Sequence, residues 1–315
     1  MDAIRGALRA WSHRRGDAAV ETGPPAPGAP VLLQRLNPDS LSRATGQKVI
    51  LYRHLAALGL PTPVLLGVVG RAGGWSAEGN RPVLGRAAIA DFLGGFAHDI
   101  VVKPSAGSGG AGVRVLRRRA AQLVDLDARR WEVPGLAAEI LADPAFELFV
   151  VQERLSNHPD IDRLCPVETL QTARLTTLAP PRGEMRIVHA HLQLAPRGGN
   201  VDSLGDSERG TVAVGVDVPT GVLCGGLPAD VGAPRGAGDR ALPDWDAACA
   251  LVLRASRALM PQRAIGWDVA LTPRGPLLLG ADSRFGSAGG GLEEGLAAIE
   301  RALAVDGPAH PGLPA

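Results

Sequence analysis

Cysteine is scarce in this chain, and the shortage is informative. Only Cys165, Cys224 and Cys249 occur in 315 residues, an odd number without C-x-x-C spacing. A disulfide framework is excluded, and thiols in a reducing compartment, by default the cytoplasm, are expected. Charge of one sign is also lacking: 33 basic residues against 32 acidic ones leave a formal net charge of +1. A nucleic-acid footprint needs a clustered basic excess. The only basic clusters, Arg117–Arg119 and the group Arg5, Arg9, Arg14 and Arg15, read as solvated faces. No apolar run approaches the eighteen or so residues of a membrane span, and the N-terminus has no continuous apolar stretch of the signal-peptide kind. Aromatic residues make up just 3%. What is present is a 45% hydrophobic content, enough for a large core divided among two or three subdomains, with Gly 41 and Pro 26.

The densest signal runs from Asp99 to Leu116, DIVVKPSAGSGGAGVRVL. An apolar run, Ile100–Val102, delivers Lys103 and Pro104 into a loop holding Gly107, Gly109, Gly110 and Gly112, and an alternating run, Val113–Leu116, leaves it. Glycines let backbone N–H groups close on an anion, and the lysine adds a point charge. Gly107, Gly109 and Gly112 satisfy G-x-G-x-x-G, yet the dinucleotide fingerprint needs a helix at the third glycine, where this chain has a strand pattern. A Walker loop needs its lysine after the glycines, and here it comes first. Strand, lysine, glycine loop and return strand together describe a flap over phosphates; alone, the same letters also suit an ordinary hairpin.

Before the flap, residues 1–19 read as a basic amphipathic helix or, equally, a docking arm or a frayed end, and Thr22–Pro30 as a Pro-rich linker without regular structure. A helix capped by Asp39 or Ser40 runs to about Leu58, closed by Gly59, and contains Lys48. A strand in VLLGVVG and a helix over Ala87–Phe96 follow. Residues 120–142 read as helical or irregular. Beyond them, FVVQERL (Phe149–Leu155) is an apolar strand ending in Gln152 and Glu153, a hinge suited to an adenine edge. In Thr169–Leu178, Thr172 and Arg174 share one face; an inward arginine is costly without an anion, so Arg174 is a candidate phosphate ligand or, alternatively, an exposed edge residue. His189 and His191 lie two apart on the next strand without a third metal ligand in range, and read as a polar strand face. Val212–Val218 and Val222–Leu223 are further antiparallel strands, and Asp244 caps a helix reaching about Met260.

Gly266–Leu271 and Pro276–Asp282 flank Thr272-Pro273-Arg274-Gly275, a hairpin turn with Gly275 left-handed. A three-residue loop sets Asp268 opposite Gly280, with Asp282 on the same face. Two such carboxylates suit a Mg²⁺ that also binds phosphate oxygens, or simply a solvated hairpin end. Arg284–Gly291 then leads into a helix striped with Leu292, Leu296, Ile299 and Leu303, whose first N–H groups could hold a substrate carboxylate or the charge on a tetrahedral intermediate; Arg284–Gly291 reads equally as a flexible linker.

In this order, the QK…LGLPTP opening, the VVKP flap, FVVQERL with HP, TARLTTL, VAVGVDVPTGVL and GWDVALTPRGPLLL resemble the sugar-transfer-associated, alpha-L-glutamate ligase-related branch of the ATP-grasp superfamily over about residues 35–300. The resemblance implies an α+β ATP-grasp fold with two subdomains clasping Mg-ATP. The implied division is 1–30 basic segment and linker, 31–98 lead-in, 99–155 small subdomain, 156–305 catalytic subdomain and 306–315 tail. It also implies a ligase that phosphorylates a small-molecule carboxylate so that an amine or thiol nucleophile can displace phosphate, in a cell-envelope or polysaccharide setting. Carried over by position, Lys48, Lys103, Ser105, Gly109 and Gly110 would contact ATP phosphates, Gln152 and Glu153 the adenine and ribose, and Arg174 with Lys103 the transferred phosphate. Asp268 and Asp282 would hold Mg²⁺. One departure stands out: the family's Glu-small-Asn on the second metal strand is Gly280-Ala281-Asp282 here. Either Asp282 supplies the second carboxylate, or Asp202, Asp206 or Glu208 swings in, or the protein is a catalytically weakened nucleotide-binding module. A dinucleotide-dependent enzyme has only the glycine letters in its favour.

Overall fold

The computed structural model describes residues 29–305 apart from 38, 41–42, 108–109, 121, 195–211, 225–226, 228–238 and 284–291. The basic N-terminal segment, Gly109, the acids Asp202, Asp206 and Glu208, the stretch Arg284–Gly291 and the tail from Asp306 lie outside the described residues.

Two antiparallel sheets organise the rest. The chain opens with helices α1 (Ala29–Leu36), α2 (Arg43–Gly46) and α3 (Lys48–Ala57). The expected single helix ending near Leu58 is therefore interrupted: Gln47 is extended, and the last helix begins at Lys48. Ala29 and Pro30, expected in the linker, instead open a helix, since proline is tolerated in a first turn where its missing N–H has no intrahelical partner. The end of α3 follows the sequence. Gly59 is left-handed (φ 65), its N–H bonds Ala56 O and that of Leu60 bonds Leu55 O, a Schellman closure with Leu55 and Leu60 in one core.

Strands β1 (Leu65–Val69), β2 (Trp75–Ser76) and β3 (Arg81–Pro82) precede helix α4 (Gly85–Gly94). Then come β4 (Ile100–Pro104), β5 (Arg114–Arg119), β6 (Gln122–Val124), β7 (Arg130–Trp131), helix α5 (Val133–Ala142) and β8 (Phe149–Glu153). The eight strands form one sheet in the order β3-β2-β1-β8-β4-β5-β6-β7. Residues 120–142 thus hold two short strands, β7 at the sheet's edge, as well as a helix, a correction to the helical or irregular reading. Ile89 and Leu93 of α4 and Leu136 and Ile140 of α5 bury this sheet's apolar residues, among them Ile100, Val102, Leu116 and Phe149.

Helix α6 (Pro159–Leu164) leads to β9 (Thr172–Leu178), β10 (Arg186–Leu194), β11 (Val212–Gly215), helix α7 (Trp245–Ala258), β12 (Ala264–Thr272), β13 (Gly275–Asp282) and helix α8 (Leu292–Val305). Their sheet runs β11-β10-β9-β12-β13. Its core joins Ala173, Leu175, Leu192, Trp267 and Val269 to α7 and also to Leu51 and Leu55 of α3. Leu33 and Leu36 of α1 pack with Leu178, Ala264 and Ile299. Val222 and Leu223, expected as a strand, make only isolated bridges. Asp244 precedes α7 in a left-handed conformation (φ 50, ψ 31) without a side-chain cap, so the expected carboxylate cap is absent; its carbonyl accepts from Ala248 N instead.

Asn37 fixes the N-terminal helix to this sheet. Its amide N donates to Ala264 O (2.6 Å) and Ser283 O (2.8 Å), and its amide O accepts from the N–H groups of Arg263 (2.9 Å) and Ala264 (3.1 Å). Four bonds satisfy a buried amide that would otherwise be costly. Among the described residues no helix is long and apolar enough to cross a membrane.

Candidate active site

The flap is built as its pattern suggests. β4 and β5 are antiparallel, with Ile100 opposite Leu116 and Val102 opposite Arg114, so a strand, not a helix, follows the glycines. Gly110 and Gly112 both take φ of 73, where a side chain is strained, and a Cβ on Gly112 would lie 2.9 Å from the Pro104 ring. At the base of the loop, buried Ser105 is tied to the start of α3: Lys48 N donates to Ser105 O (2.8 Å), and Ser105 Oγ donates to Gln47 Oε1 (2.9 Å). Lys48 Nζ donates to Gly107 O at 2.6 Å. Lys48 therefore fastens the loop that carries Gly110.

Lys103 lies one residue before the end of β4, buried, and its Nζ donates to Tyr52 Oη at 2.7 Å. The adjoining cleft is lined from one sheet by Val101, Lys103, Val115 and Gln152, and from the other side by Leu170 and Leu279. Arg154 and Glu168 line it as well, so apolar side chains are combined with a few charged and amide groups, the make-up of a small-molecule pocket. Glu153 is already engaged: its Oε1 accepts from Val64 N (2.9 Å) and from Arg274 Nη2 (2.7 Å) in the turn of the other sheet's hairpin. That ion pair spans the two sheets at the cleft's edge.

The hairpin reaches its expected pairing by another route. Thr272 pairs with Gly275, so the turn has two central residues rather than a three-residue loop, and a bulge between Val269 and Asp268 leaves Leu279 outside the ladder. The bulge restores the missing residue, and Asp268 faces Gly280. Arg174 on neighbouring β9 is directly opposite Asp268 on the other side. Its Nη1 donates to Asp268 Oδ1 at 2.8 Å and its Nη2 to Asp282 Oδ2 at 3.4 Å. Arg174 is 4% exposed, which excludes the edge reading. Burial opposes its charge, but Asp268 and then Asp282 outweigh that, and its pKa is raised. Gly266 makes the arrangement possible, because a Cβ there would come within 2.5 Å of the guanidinium.

Mg²⁺ takes one or two carboxylates and draws its remaining ligands from phosphate and water. Asp268 and Asp282, held on one face by a shared guanidinium, meet that minimum. Among the described residues a Cβ on Gly280 would find only Asp268 Oδ2 within 4 Å, at 3.3 Å, so none of them fills the space opposite Asp268. Among the described residues no group of three His, Cys, Asp or Glu side chains could hold a metal by itself.

The histidines lie next to this centre, with His191 opposite Arg174 in the β9–β10 pairing. His191 Nδ1 is 3.2 Å from His189 Nε2, and Thr172 Oγ1 donates to Gln193 Oε1 at 2.8 Å beside them. Burial first, then the charges of His189 and Arg174, push His191 down to about 3 from 6.5. His189, lowered mainly by burial, in turn faces Glu294 and Arg301 of α8. Since the unfolded chain takes up this proton first, the contribution of His191 is complete above pH 6.5 and fades as pH falls from 6.5 toward 3. Its slope is up to about 1.4 kcal/mol per pH unit. Urea unfolding of wild type and His191→Gln at pH 7 and pH 5 checks this: the wild type should lose more stability over that interval, and equal losses would contradict it.

Tyr52 and Arg274, the partners of Lys103 and Glu153, have no spacing signal in the sequence. The only pointer to either is compositional: Tyr52 is the sole tyrosine.

The sequence model of the family described as "Sugar-transfer associated ATP-grasp" matches residues 30–306. No curated protein matches the chain. Among solved structures, the L-amino acid ligase from Bacillus licheniformis is similar at 14% identity and TM-score 0.44, covering 80% of this chain and 43% of its own. The D-alanine–D-alanine ligase from Bacillus anthracis gives 13% and 0.46, with 84% and 67% covered. Biotin carboxylase from Campylobacter jejuni, in complex with β-γ-ATP, gives 11% and 0.49, with 84% and 48%. This chain therefore spans less than half the length of two of these three structures.

Proposed function

The chain belongs to the sugar-transfer associated ATP-grasp family, and from that premise we propose that it is an ATP-dependent ligase joining a small-molecule carboxylate to an amine or thiol through an acyl phosphate. The observation that carries this reading is that the cleft beside Lys103 takes one wall, Leu279, from the strand that carries Asp282. Leu279 lines the cleft beside Lys103, and its neighbour Gly280 is paired with Asp268, which holds Arg174. In this reading the phosphates of a nucleotide in the cleft lie toward the Arg174–Asp268–Asp282 cluster.

In this reading Lys103 neutralises the phosphates and Lys48 keeps the glycine loop closed over them. Gln152 meets the adenine edge, and Glu153 the ribose end once Arg274 yields. Asp268 and Asp282 would hold Mg²⁺, which when bound supplies charge neutralisation on phosphate oxygens. Arg174, fixed between the two carboxylates, directs its guanidinium edge to the phosphoryl group in transfer. The substrate carboxylate oxygen attacks phosphorus and ADP leaves; the nucleophile then attacks the acyl carbon and expels phosphate. Residues 99–155 form the small subdomain and 156–305 the catalytic one. The lead-in 31–98 is shared: α1 and α3 pack on the catalytic sheet, and β1–β3 extend the flap sheet. A cytoplasmic location fits this chemistry and the three free thiols.

ADP release from Mg-ATP in pools of carboxylates and amines tests the proposal. Wild type should release ADP only when a carboxylate is present, and Asp282→Asn should lower that rate at least about tenfold, as expected for a lost metal ligand. Gly280 favours a second reading, a nucleotide-binding module without turnover. No ADP release with any carboxylate, together with release in Gly280→Glu, would establish that reading instead.

A further inference from the structure

Tyr52 sits at a junction that the proposed chemistry has not used. Its side chain is 1% exposed on α3, between the two sheets. The phenol accepts from Lys103 Nζ at 2.7 Å and donates to Leu279 O at 2.6 Å, with Gln152 Oε1 at 3.2 Å. The Lys103 ammonium also lies 5.3 Å from the centre of the ring. Leu279 is the bulge residue of β13, and a bulge takes its backbone out of the ladder, which leaves its carbonyl available to a side chain. One hydroxyl therefore touches the flap's lysine, the wall of the cleft and the strand position next to Gly280.

Resting on the nucleotide reading above, we propose that Tyr52 is the positioning residue for Lys103. Its phenol holds the ammonium over the cleft before nucleotide arrives and couples the lysine's engagement by phosphate to the hairpin that carries Asp268 and Asp282. A hydroxyl has one proton to give and lone pairs to accept with, so the same group can receive from a lysine and donate to a carbonyl. A triphosphate is a stronger acceptor than a phenol, because bonds between ionised partners are shorter and stronger. An ammonium has three N–H donors, so Lys103 can bond phosphate with one while another stays on Tyr52, which keeps Leu279 in place. The remaining bonds of α3 act in the same sense: Lys48 N and Nζ hold the flap backbone at Ser105 and Gly107, while Leu51 and Leu55 pack in the catalytic core. The helix connects the two sheets, and Tyr52 is its polar contact with both.

Calorimetric titration of Mg-ATP into wild type, Tyr52→Phe, Lys103→Ala and the double variant tests this. Phenylalanine keeps the ring and removes only the hydroxyl. Tyr52→Phe should bind about tenfold more weakly than wild type, because the ammonium is no longer held over the cleft before nucleotide arrives, and should bring no further loss in the Lys103→Ala background. Wild-type affinity in Tyr52→Phe, or the same tenfold loss with Lys103 already absent, would overturn the proposal. Absence of binding to the wild type would instead defeat the nucleotide reading, and the proposal with it. If Tyr52→Phe does not fold, ¹³C-tyrosine labelling of the wild type decides, since the chain has a single tyrosine and gives a single ζ-carbon signal. That signal should shift on adding Mg-ATP to wild type and not to Lys103→Ala; an unmoved wild-type signal under saturating nucleotide would overturn the proposal.

Discussion

Replacing Arg174 by alanine is expected to lower the free energy of unfolding by about 3 kcal/mol, the lower end of the cost of removing one partner from a buried ion pair. The estimate takes the lower end because the side chains of Asp268 and Asp282 are 29% and 35% exposed and can rehydrate, while Arg174 itself is 4% exposed. What remains after the substitution is two carboxylates on one face of a hairpin and a void over Gly266, where the guanidinium had lain. Lysine should rescue little, since its point-charge ammonium lacks the planar fork with which Arg174 reaches both carboxylates. Guanidinium chloride unfolding of wild type, Arg174→Ala and Arg174→Lys measures the effect; an unchanged midpoint in Arg174→Ala would mean that the cluster does not stabilise the fold.

Substituting Lys103 by alanine should weaken Mg-ATP binding about a hundredfold, the scale of roughly 3 kcal/mol for a charge-assisted bond lost in a buried site. Lys103 is 7% exposed and its ammonium borders the cleft beside Val101 and Gln152, where its charge is little screened by water. The comparison with Lys48→Ala separates the two lysines. Lys48 bonds the backbone of Gly107 and acts by holding the loop, so its loss should show as a smaller decrease in affinity, on the order of tenfold. Equal affinities in all three proteins would remove the flap from the site.

How far the site could be read in the sequence depends on the range of the contacts involved. The flap was legible because its information is local: β4, the glycines and β5 are consecutive, and the lysine's place before the glycines excluded a Walker loop. Arg174 was legible as an inward-facing cation from strand alternation, and Asp268 and Asp282 as a carboxylate pair from the hairpin. Their union was not, since the two bonds join residues 94 and 108 positions apart. The register of the hairpin is the most instructive case. A three-residue loop and a two-residue turn followed by a bulge both set Asp268 opposite Gly280, and only the second puts the carbonyl of Leu279 on Tyr52, 227 residues away. Nothing in the local turn chemistry encodes that bulge. The break at Gln47 has the same origin, because its side chain accepts from Ser105 across the flap. Glu153 shows the opposite limit: its position at the end of β8 was evident, but its partner Arg274 comes from the far hairpin.

The most direct test of a nucleotide site between the two sheets is a calorimetric titration of the wild-type chain with ATP, with and without Mg²⁺, alongside NAD. Saturable binding of one ATP per chain, tightened by Mg²⁺ and stronger than any binding of NAD, is the predicted result. No heat with Mg-ATP, or tighter binding of NAD than of ATP, would contradict it.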